Sequence, residues 1–143
     1  MTPEVFAQEA AAYQAFALAV AAVPIERRED PELPDGWSVK DVLWHVVYWW
    51  RSGVTTFLAM HAGSYEEPDT TDDDTDVTNA RVLEESRGMS LADVEVTVTA
   101  ARTTLLEAFA PVAIIPEAVE LFVSETTEHY EEHLPALRAF AGG

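Results

Sequence analysis

Phe6, Ala10, Tyr13, Ala17 and Val20 recur at helical spacing and predict a first helix that fades near Pro24. Thr2-Pro3-Glu4 marks its start: a hydroxyl cap, proline at the first helical position and an acid in the first turn. The next stretch, ERREDPELPDG, mixes prolines and acids with a glycine and reads as a connector. Ser38 then caps a second helix, with Asp41 three residues on as its capping-box partner, and this helix ends before Gly63. From Val42 to Trp50 it is apolar around most of its circumference, the pattern of a central, largely buried element.

Residues 64–76 read as an acidic, solvated loop, followed by a short third helix from Val77 to Arg87 that stops at Gly88. Ser90 and Asp93 open a fourth helix through Phe109, with Val94, Val98, Ala101, Leu105 and Phe109 as its apolar face. Within it VEVTVT alternates like a strand, but the preceding cap and the helical period of ARTTLLEAF favour helix. Pro111 to Pro116 is a turn, and a last helix runs from Glu117 to Phe140. The expected fold is all-α, a four-helix bundle with an extra short helix, forming one domain over residues 1–143, with an orthogonal helical domain as the alternative.

Composition narrows the function classes. The chain has 143 residues, 48% of them apolar, enough for one packed core. It carries 26 acidic against 8 basic residues, a formal net charge of -18, which repels phosphate backbones and anionic lipid. Nucleic acid and membrane are therefore not expected partners. With no cysteine, disulfides, zinc–thiolate sites and cysteine nucleophiles are excluded, so any reacting thiol must arrive on a substrate or cosubstrate. The N-terminal residues lack a basic region, and no apolar stretch is long enough to span a bilayer, so a cytoplasmic location is expected.

The candidate chemistry lies in the histidines. His129 and His133 form H-x-x-x-H and sit one helical turn apart on one face. At about 100° per residue they share a stripe with Phe122, Thr126, Leu137 and Phe140, while Glu128, Glu131, Glu132 and Arg138 fall outside it. Two rings turned into a core need partners, and one metal ion supplies both. The alternative is ordinary hydrogen bonding, for which Glu125, one turn before His129, is placed to orient that ring. The protease signature H-E-x-x-H is not met, because position 130 is tyrosine. His45 lies on a strip with Asp41, Ser52 and Thr56, and periodicity does not decide whether that strip faces solvent or a polar cavity. His61, at the end of its helix, reads as a surface residue.

Taken together, GWSVKDVLWHVVYW, TNARVLEESRGMSLADV and ETTEHYEEHLPAL resemble the DinB-like metalloprotein superfamily, which includes mycothiol-dependent maleylpyruvate isomerase N-terminal domains and ClbS/DfsB-type proteins. The match rests on Trp37, Ser38 and His45 at the second helix, the asparagine-containing short helix, and the closing histidine pair. The resemblance implies a DinB-type bundle with His45, His129 and His133 holding a divalent ion (zinc, nickel, iron or manganese) and leaving positions open. It implies a metal-dependent transferase or hydrolase acting on a small molecule, with mycothiol, bacillithiol or another low-molecular-weight thiol as cosubstrate. A non-catalytic metal-binding or resistance protein is the alternative. Trp49, Asn79 and Tyr130 are expected to line the pocket. Members are often dimers, which makes a homodimer the expected assembly. The chain departs from the long isomerases in having no second domain after the bundle, and Pro135 follows the last ligand closely enough to bend the final turn.

Overall fold

Ser38 does begin the central helix. Its hydroxyl accepts from the Asp41 amide at 3.1 Å, the Asp41 carboxylate accepts from the Ser38 amide at 2.9 Å, and Gly63 at φ 76 closes the other end. A computed structural model describes the backbone of residues 2–67 and 72–142, and their side chains except those of residues 2, 3, 72 and 73. The Thr2 cap and part of the acidic loop lie outside the described residues. The order is α1 (Thr2–Ala21), α2 (Val39–Ala62), α3 (Asp72–Arg87), α4 (Leu91–Phe109), α5 (Pro116–Glu125) and α6 (Thr127–Gly142), with short 3₁₀ turns between some of them. The fold is all-helical, with no strand among the described residues, and no helix is long and apolar enough to cross a membrane.

The central helix α2 packs on α4, α3 and α5, while α1 packs mainly on α6. Helices α1, α2, α4 and the α5–α6 pair form four sides around a shared apolar core, and α3 lies against α2 as the extra element. Two aromatic groups fill that core. Phe109 and Phe122 stack at 3.9 Å between ring centroids, flanked by Phe6 and Phe57. Tyr13, Phe16, Trp50 and Tyr130 form the second group, nearer the histidines. Burying each such side chain contributes about 1.5–3 kcal/mol before entropy is counted. The fourth predicted helix is found as read: Val94, Val98, Ala101, Leu105 and Phe109 are all buried.

Three expectations are corrected. First, the expected stripe of α1 is only partly the buried one. Val20 is inside and Phe6 and Tyr13 pack half-buried against the core, but Phe16, Ala19 and Glu9 are the other fully buried positions, and Ala10 is exposed. Alanines contribute little to the choice of face, and the bulk of Phe16 sets it. Second, α3 begins at Asp72, not Val77. Carboxylates that look like loop composition are favourable in the first turns of a helix, where its amides point outward. Third, the final helix is two. Thr126, at φ -117 and ψ -91, separates α5 from α6. Its hydroxyl donates to the Phe122 carbonyl at 2.6 Å, in competition with the regular backbone ladder. The interruption thus precedes the histidines, and Pro135 sits exposed within α6.

Candidate metal centre

Three elements carry the histidines inward. His45 lies in the second turn of α2, one turn past the buried Asp41, and the capping box fixes the phase of that turn. His129 and His133 lie one turn apart at the start of α6, immediately after the Thr126 break. His45 Nε2 and His129 Nε2 are 3.0 Å apart, and the His133 ring centroid is 5.4 Å from that of His45 and 4.9 Å from that of His129. His45 and His129 are each 8% exposed, and the Trp37 ring packs edge-on against His45 at 5.0 Å.

The polar accounting is incomplete without a further partner. Nδ1 of His45, Nδ1 of His129 and Nε2 of His133 are buried with no hydrogen-bond partner. An unmet buried polar group costs about 1–3 kcal/mol; an ion held by the facing Nε2 atoms of His45 and His129 would satisfy Nε2 of His133 and leave the two Nδ1 atoms to other partners. One nitrogen from each ring can be chosen so that all lie within 4.8 Å of one another, and the cluster could hold a metal ion. Tetrahedral bonds of about 2.0–2.1 Å place ligand nitrogens about 3.3 Å apart, close to the observed separation of the His45 and His129 pair. Burial, joined by the fields of the neighbouring rings, lowers the pKa of His45 to about 3. Burial and His133 lower that of His129 to about 4, with the backbone carbonyl of Glu125 opposing them. Burial lowers His133 too. All three rings are therefore neutral at pH 7, the form in which imidazole donates a lone pair.

The histidines open on a cavity of about 640 Å³ between α2, the α5–α6 break, the first turns of α3 and the connector before α2. Asp35 and Gly36, at φ 64 and 77, are successive left-handed residues that turn the connector so that Trp37 reaches the cavity wall. The Trp49 indole donates to Asn79 Oδ1 at 2.9 Å, which ties α3 to α2, and both residues line the cavity. Asp41 accepts from Ser86 Oγ at 2.6 Å and anchors α3 a second time. A second depression of about 670 Å³ near Met60 and Leu121 has no histidine in its lining.

Tyr130 is not in the cavity, which corrects the expectation placed on it. One residue past His129, it points about 100° away toward α1. There its hydroxyl donates to Glu9 at 2.8 Å, and Arg102 donates to both carboxylate oxygens of Glu9. Glu9 and Arg102 were not singled out from sequence. The available signal was Glu9 itself, an acid in register with Phe6, Tyr13 and Phe16. Glu125 lines the cavity, and it is its backbone carbonyl rather than its side chain that acts on the His129 ring. Burial raises the pKa of Glu125 to about 7. Trp37 was noted as a motif residue but not as a wall of the site. His61 is exposed in the last turn of α2, far from the other three.

No protein-family model, curated protein or solved structure matches the chain.

Proposed function

We propose that the protein is a divalent-metal-dependent enzyme of the DinB-like kind, acting on a small molecule in the cavity with a low-molecular-weight thiol as cosubstrate. The observation that carries this reading is the convergence of three neutral imidazoles, two buried and one half-buried, on a cavity large enough for a small molecule. His45, His129 and His133 would hold the ion. When bound, it would supply Lewis acidity and lower the pKa of a thiol or water brought to it. The chain contains no thiol of its own.

The protein's residues have separable tasks in this scheme. Burial keeps the three histidines unprotonated, so binding an ion at neutral pH displaces few protons from them. Trp37, packed on His45, restricts that ring and shields it from water. Trp49 and Asn79 hold the α3 wall in place over the substrate space. Glu125 lines that space with a carboxyl that burial holds near neutral pKa, able to carry a proton at an oxygen facing the cavity.

The test uses cobalt as a spectroscopic substitute. Protein loaded with one equivalent of Co(II) is expected to show visible bands that shift when an uncharged free thiol such as 2-mercaptoethanol is added. Bands that form and do not respond to thiol would rule out the thiol cosubstrate and leave a metal-binding protein of another kind.

A further inference from the structure

The cavity beside the histidines has an electrostatic character that selects among substrates. Among the described residues its lining includes three carboxylates, Asp35, Glu125 and Glu132, and no lysine or arginine. None of the three has a hydrogen-bond or ion-pair partner among the described residues; Asp35 and Glu132 are exposed and Glu125 is half-buried, whereas the fully buried acids are paired. Glu9 has Arg102 and Tyr130, and Asp41 has Ser38 and Ser86. The same wall contains His45 and His129, more than nine-tenths buried and with unpartnered ring nitrogens, so it is a binding surface as well as an acidic patch. Sites for carboxylate or phosphate substrates present arginine or lysine in addition to any metal, and this one presents neither. Trp37 and Trp49 add two half-buried indoles to the lining. Indole faces attract ammonium groups and stack on planar bodies.

We propose that the cavity takes an ammonium-bearing small molecule with an apolar or aromatic body, its cationic end held by Glu125 and Glu132, and discriminates against carboxylate-bearing analogues. The proposal names the substrate class for the site described above and rests on that reading only for where the reacting end lies.

Tryptamine and indole-3-propionate share one ring system and carry opposite charges, which makes them a matched pair of probes. Their binding is measured by calorimetry at pH 7 on zinc-treated and metal-free protein, with zinc content read separately. Tryptamine is expected to bind at least ~10-fold more tightly, about 1.4 kcal/mol, to the wild type. That preference is expected to collapse in Glu125→Gln/Glu132→Gln. Glu132 is exposed, so Glu132→Gln alone leaves the fold intact and is expected to lose part of the preference if the double variant does not fold. Equal or tighter binding of the propionate overturns the proposal, and so does binding of neither compound. A preference untouched by the substitutions overturns it too, since it would then come from the overall charge of -18. If zinc is not taken up, the metal reading fails while the amine preference is still read on the metal-free chain.

Discussion

Glu9 is 1% exposed and carries a charge into the core of the bundle, on the helix that packs against α6 and its two histidines. Arg102 neutralises it from α4, and Tyr130 spends its hydroxyl on it from α6. This ties the helix that bears His129 to α1 and α4 on the side opposite the cavity. Removing Tyr130's hydroxyl (Tyr130→Phe) leaves Glu9 with Arg102 and is expected to cost about 1–2 kcal/mol in urea unfolding. Arg102→Leu strands the carboxylate and is expected to cost about 3–5 kcal/mol. Equal costs for the two would contradict the description of a charge pair assisted by a hydroxyl. At this scale the sequence was legible where helical angle decides the direction of a side chain. His129 and His133 turned inward as their stripe with Phe122 and Leu137 required. His45 was not legible in that way. Its strip runs from the buried Asp41 to the exposed Ser52, so it is cavity at one end and solvent at the other. Only the family resemblance brought it into the site.

Among the elements, α2 does most to position the centre, and its N-terminal turn has two functions at once. Asp41 completes the capping box and also receives Ser86 from α3. Ser38→Ala is expected to lose a cap worth about 1 kcal/mol. Asp41→Ala is expected to cost more in the same unfolding experiment, because it also frees α3 and leaves the Ser86 hydroxyl buried and unpaired. An Asp41→Ala cost no larger than that of Ser38→Ala would mean that the Ser86 bond adds nothing to the hold of α2 on α3. Element boundaries were readable where large side chains repeat, as in α4, and where a cap is spelled out, as at Ser38 and Ser90. They were not readable where the cause is local stereochemistry. The Thr126 break depends on a hydroxyl bonding back to Phe122, and nothing in helical periodicity registers that. The early start of α3 was hidden because aspartates suit a loop and a helix N-terminus equally well.

Over the whole molecule, the buried histidines make stability depend on pH. Their folded pKa values lie below the unfolded value of about 6.5, at about 3 for His45 and about 4 for His129. Below about pH 6.5 the unfolded chain therefore binds more protons, and their contribution to stability is lost as pH falls toward those folded values. Glu125 works the other way. Its folded pKa of about 7 gives stability that is present in acid and lost as pH rises through 7. Self-repulsion from the net charge of -18 also relaxes in acid, so the histidine effect is best isolated as a difference. In metal-free protein, the stability of the wild type relative to His45→Gln is expected to decline between pH 7 and pH 4, followed by thermal denaturation. A difference that is flat or grows in acid would contradict the burial of a neutral His45. The central claim is that this bundle closes three histidines around one ion, and metal stoichiometry in untagged protein dialysed against zinc tests it most directly. The account predicts about one zinc per chain for the wild type, and an affinity for His129→Ala reduced beyond the ~10–100-fold typical of losing an outer partner. Wild-type protein that takes up no zinc, nickel, iron or manganese, or a His129→Ala variant that binds as tightly as the wild type, would contradict it.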